Sequence, residues 1–164
     1  MKRNMKNYKM KIFIFIACLA ISAFGASKNH TGIISNSALI YPGVYAADVT
    51  GDATDVSDYK GAIITALVAS GTYSETNSVK FKLEHSDSTS TATFEAVAAG
   101  DVIGVTPDSA GSFLVLEAAT AGDKIQSLAY IGNKNYIRVL LDASGTITAT
   151  ASVVLTKSMP YIAQ

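Results

Sequence analysis

The stretch Ser127–Leu155, SLAYIGNKNYIRVLLDASGTITATASVVL, holds two strongly patterned segments and the turns that bound them. Ile137, Val139 and Leu141 alternate with Tyr136, Arg138 and Leu140, and Ile147, Ala149, Ala151 and Val153 alternate with Thr146, Thr148, Thr150 and Ser152. A period of two puts successive side chains on opposite faces of a strand, so each segment predicts one face in a core and the other at a surface. Ala143-Ser144-Gly145 between them reads as a hairpin loop.

Upstream the same grammar recurs. Val79, Phe81 and Leu83 alternate with Lys80, Lys82 and Glu84, the cleanest alternation in the chain, which predicts a core shared with Ile137, Val139 and Leu141. Asp87–Thr91 reads as the connection to a returning strand at Phe94–Val97. The run GAIITALVAS, Gly61–Ser70, has small and β-branched residues on both parities and predicts a central strand buried on both faces. Val44–Val49, Ser112–Glu117 and Lys124–Tyr130 complete the set, separated by turn signals such as Thr50-Gly51-Asp52 and Ala99-Gly100-Asp101. Eight or nine short strands without an amphipathic helix predict an all-β fold, an antiparallel β-sandwich of jelly-roll-like type.

The 164 residues suffice for one domain with a core, and 49% hydrophobic against 16% charged residues excludes general disorder. Residues 1–25 have the layout of a secretory signal peptide. A basic, acid-free MKRNMKNYKMK precedes the apolar Ile12–Phe24, with Ala23-Phe24-Gly25 as a small-x-small cleavage site. At about 13 residues the apolar run is short for a membrane span, so membrane contact is expected only through residues 1–25 if they stay uncleaved. Without them the chain keeps eight Lys/Arg against thirteen Asp/Glu, an acidic balance that argues against a nucleic-acid surface. The one cysteine, Cys18, lies in this segment, which leaves the remainder without thiol or disulfide chemistry. The expected divisions are 1–25, signal-like; 26–43, an N-terminal arm and edge strand; 44–157, the sandwich; and 158–164, a tail.

Reactive constellations are sparse. His30 and His85 are the only imidazoles, and Glu84 and His85, adjacent on a strand, point to opposite faces; His85 reads as a solvated turn residue. Asp52, Asp55 and Asp58 lack the pattern of a calcium loop, and no serine sits in a G-x-S-x-G elbow. No catalytic residue, metal site, cofactor or small-molecule substrate is therefore expected. The tyrosines Tyr41, Tyr45, Tyr59, Tyr73, Tyr130 and Tyr136 are the one feature that suits a carbohydrate site.

YIGNKNYIRVLL ahead of a Ser-Gly turn and a Thr/Ala/Val strand resembles small structural proteins of tailed phages and prophages, the capsid decoration or minor head proteins. The resemblance extends to Asp55–Lys60 and to VKFKLEHSDSTSTATFEAVAAGDVIG, and spans roughly Gly32–Lys157. It implies a virion location, a non-enzymatic role on the capsid surface, and the major capsid protein and the chain's own copies, in trimers, as partners. Its motif draws attention to Tyr130, Asn133, Lys134, Asn135 and Arg138 as turn or interface residues, with Gly132-Asn133 suited to a tight turn of positive φ. Arg138 is expected either on an exposed sheet face or paired with a carboxylate. The signal-like N-terminus favours another class, a secreted, periplasmic or surface-displayed adhesion or carbohydrate-binding sandwich.

Overall fold

The computed structural model describes residues 34–69, 71–118 and 123–160. The signal-like segment and residues 26–33 of the arm lie outside them. Among the described residues eleven strands form: β1 (Ile34–Tyr45), β2 (Val49–Thr50), β3 (Thr54–Asp55), β4 (Tyr59–Val68), β5 (Ser78–Ser86), β6 (Glu95–Ala96), β7 (Val102–Ile103), β8 (Ser112–Leu116), β9 (Lys124–Tyr130), β10 (Tyr136–Ser144) and β11 (Ala149–Pro160). They build two antiparallel sheets, one of five strands in the order β1-β11-β4-β9-β7, the other of six, with β2-β10-β5-β6 in line, β3 beside β10 and β8 beside β5. This is the expected β-sandwich. The count exceeds eight or nine because β2, β3 and β7 are two-residue strands, too short to show a period.

The core follows from parity. On β5 and β10 the register sets Phe81 opposite Leu141 and Leu83 opposite Val139. Val79, Phe81, Leu83, Ile137, Val139 and Leu141 are all buried, as their alternation predicts. Across the sandwich, Ile64, Ala66 and Val68 of β4 meet Leu155, Val153 and Ala151 of β11 in register and are buried with them.

Three local readings change. Strand β4 is central, between β11 and β9, but buried on one face only: Ala62, Ile64, Ala66 and Val68 point inward while Ile63 and Leu67 are exposed. Ser144-Gly145 is not a hairpin loop, because β10 belongs to the six-stranded sheet and β11 to the five-stranded one. The turn carries the chain across the sandwich, and Gly145 is needed there: its φ is +75°, and a Cβ would sit 2.1 Å from the Thr76 carbonyl oxygen. Val44–Val49 is not a strand of its own: β1 runs from Ile34 to Tyr45 and β2 starts at Val49; the register of β1 against β11 breaks twice, at Ala38/Ile40 and Ile40/Gly43. These irregularities bury both Leu39 and Ile40, which hides the period from the sequence.

Candidate functional site

The motif 130–138 links the end of β9 to the start of β10, and so crosses between sheets. Tyr130 shares the inward parity of Leu128 and is buried. Its hydroxyl accepts a hydrogen bond from the Lys134 backbone N–H at 3.1 Å and lies 3.0 Å from His85 Nδ1, with the two rings edge to face at 5.8 Å. One phenol therefore ties β9, the following turn and β5 of the opposite sheet together. His85 is thus not a solvated turn residue. It continues the parity of Val79, Phe81 and Leu83 and is 5% exposed.

Gly132 is required for space, not for positive φ. A Cβ there would meet the Tyr130 hydroxyl oxygen at 2.5 Å, whereas among the described residues the positive-φ glycines are Gly104, Gly111 and Gly145. Lys134 Nζ pairs with Asp87 at 2.8 Å and reaches Glu95 at 3.7 Å; Glu95 also stands 3.6 Å from His85 Nε2. The hydrogen bond from Lys134 holds the Asp87 carboxyl below its usual range and raises the lysine in turn. Asn133 and Asn135 are exposed, and the Asn135 carbonyl accepts the Val56 N–H at 2.8 Å. Arg138, expected outside or paired, is 9% exposed and paired: Nε and Nη2 contact Glu84 Oε2 at 2.7 and 2.6 Å, and Phe94 lies over the guanidinium at 4.2 Å.

The aspartates considered for calcium serve turns instead where their bonds are visible. Asp55 Oδ1 accepts from the backbone N–H and the hydroxyl of Ser57 at 2.8 and 2.7 Å, which lowers its carboxyl. Among the described residues, no three His, Cys, Asp or Glu side chains converge as metal ligands, and no helix is long and apolar enough to cross a membrane. Of the tyrosines, Tyr73 and Tyr130 are core and Tyr41 is 69% exposed, so the six do not line one groove together. A hollow of about 380 Å³ does open beside the motif, lined by Tyr59, Lys60, Asn133, Lys134 and Asn135 among others.

The two broad outer faces differ sharply in charge. On the six-stranded sheet the outward register opposes Arg138 to Glu84 and Asp142 to Lys80, with a Lys82–Asp142 ion pair. On the five-stranded sheet the outward rows are Asn36, Thr156, Ile63, Ala129 and Ile103; then Ala38, Val154, Thr65 and Ser127; then Ser152, Leu67 and Ile125; then Val44 and Thr150. None carries a charge. No single strand announces this surface; it arises where the unremarkable parity of five strands is brought into register.

No family model matches this chain, and no curated protein does. Among solved structures, the SPBc2 prophage-derived protein YomS aligns over 76% of this chain and 96% of its own, at 12% identity and a TM-score of 0.39. A structure of infectious bursal disease virus, Gt strain, aligns over 78% of this chain and 42% of that one, at 10% identity and a TM-score of 0.27. The VP2 subviral particle of the same virus aligns over 78% and 41%, at 13% identity and a TM-score of 0.27.

The Tyr130 bridge has a measurable consequence. Burial is the main cause that pushes its hydroxyl up to about 12, with Asp101, Asp87 and Glu95 adding to it and the Lys134 N–H opposing. The unfolded chain loses this proton near pH 10 and the folded chain holds it, so the folded state binds more protons in that window. Stability is therefore complete below pH 10 and falls by about 2–3 kcal/mol as pH rises to 12. Urea melts at stepped pH check this, and Tyr130→Phe should lack that component of the fall.

Proposed function

We propose that the protein is a non-enzymatic structural subunit of a tailed-phage or prophage virion. It sits on the outside of the head as a decoration protein and reinforces contacts between major-capsid subunits. The observation that carries this reading is the division of labour among side chains: the motif's polar groups are spent on ties within the sandwich, and a wide uncharged sheet face is left outward. A subunit that binds a lattice works by burying such surface, which stabilises the assembled state over the separated one. The phage setting rests on the resemblance of YIGNKNYIRVLL and the upstream hairpin. Of the five motif residues, the exposed Asn133 and Asn135 are those proposed to touch a neighbour, while Tyr130, Lys134 and Arg138 hold the corner in shape. A virion location also requires that residues 1–25 be removed before assembly or never translated.

The test is to add the purified protein to capsids stripped of decoration. Saturable co-sedimentation and a higher temperature of capsid rupture are expected; absence of both removes the proposal. A second reading, a secreted or surface-displayed carbohydrate-binding sandwich, is favoured by the hollow beside Tyr59, Asn133 and Asn135. Saturable binding of an oligosaccharide that Tyr59→Ala abolishes, without capsid binding, would establish it.

A further inference from the structure

We infer that the outer face of the five-stranded sheet packs on the same face of a second copy of this chain, related by a two-fold axis. This goes beyond the virion reading, since it needs no capsid: the second copy covers the face in the free protein, and on a head the lattice takes that copy's place. Exposed apolar side chains are concentrated on this face: Ile63 at 43%, Leu67 at 38%, Ile103 at 59%, Ile125 at 72% and Val44 at 66%. A contiguous patch of this kind, unbroken by any charge, is what soluble monomers avoid and subunit contacts use.

Charge decides which surface covers it. If the face packed on the six-stranded sheet of a neighbour, the Glu84–Arg138 and Lys82–Asp142 pairs would lose water and gain no new partner. Packed on itself, it desolvates no charge. The central hydroxyls also lose little, because Thr65 Oγ1 and Ser127 Oγ already hydrogen-bond each other at 2.9 Å across β4 and β9.

The area is small. With strands about 4.8 Å apart and same-face residues about 6.8 Å apart, the fourteen outward positions cover roughly 450 Å² per copy. Two copies bury on the order of 900 Å² in total, the range of weak, transient contacts, so association is reversible and concentration-dependent. A self-complementary face closes as a pair. The expected assembly is therefore even-numbered, against the three copies implied by the family resemblance.

Sedimentation of the full-length chain over about 1–100 µM is the experiment. A monomer–dimer equilibrium is expected, weakened at least tenfold by Ile125→Asp and by Thr65→Lys and unchanged by Lys82→Glu on the other face. Urea melts of each variant verify folding. Because both substituted side chains point outward, a dimer held by residues 1–25 would ignore them and overturn the inference. With Cys18→Ser to remove the native thiol, Ser127→Cys at the centre of the face should cross-link two copies under mild oxidation. A monomer throughout, a trimer mass, or a face whose variants lose capsid binding while the protein stays monomeric would each overturn it. A dimer that obeys the variants yet binds no capsid upholds it and removes the virion role alone.

Discussion

Phe81→Ala lowers the free energy of unfolding by about 3–5 kcal/mol. The ring is fully buried on β5, directly opposite Leu141 of β10 and next to β8. Its nearest aromatic neighbour, Phe113, stands 6.4 Å away at a tilt of 54°. Both flanking strands are hydrogen-bonded to β5 and the opposite sheet closes over the ring, so the surroundings have little freedom to collapse into the space a methyl group leaves. Loss of the transfer free energy and retention of a cavity then add. Urea melts measure the change, with the dependence on denaturant expected to stay that of the wild type. A loss under about 1 kcal/mol would mean that the face opposite Phe81 relaxes freely.

The strands whose buried face is legible in the sequence are those whose outward residues are polar or charged, as on β5 and β11. On β5, Lys80, Lys82 and Glu84 contrast with Val79, Phe81 and Leu83, and the contrast is the signal. On β4 the outward positions are Ile63, Thr65 and Leu67, so inward and outward residues look alike and the strand reads as buried on both sides. The feature that hid its exposure is the same one that makes its sheet a surface for packing. Turn chemistry likewise fixed Gly145 as a turn without revealing that β10 and β11 lie in different sheets, since a glycine at positive φ serves a hairpin and a crossover equally.

The corner at 130–138 was visible as a motif but not as a mechanism. Its meaning lies in contacts with residues far away in the chain: His85 for Tyr130, Asp87 and Glu95 for Lys134, Glu84 and Phe94 for Arg138. One part was within reach. His85 extends the inward parity of Val79, Phe81 and Leu83 by a further step, and the polar Ser-Asp-Ser that follows drew it into the turn instead. Gly132 shows the opposite case, because the reason for a glycine there is the Tyr130 ring folding back over it, a clash that no local rule contains.

Glu84→Ala should cost about 3 kcal/mol, the low end of what breaking a buried ion pair costs, because some water still reaches the carboxylate. The side chains of Arg138 and Glu84 are 11% and 19% exposed, and β5 and β10 set them directly across from each other. With the glutamate gone, the guanidinium stays beneath Phe94 with two of its N–H groups unpaired. Replacing both partners, as Glu84→Leu with Arg138→Met, removes the unpaired charge along with the pair and should return stability to within about 1 kcal/mol of the wild type. In the cycle of Glu84→Leu, Arg138→Met and the two together, read by urea melts, each single is therefore expected to be worse than the double. If the two single losses instead simply add, the pair behaves as an exposed one of about 0–1 kcal/mol, and it is the Phe94 ring over the guanidinium, rather than Glu84, that holds Arg138 against the sheet.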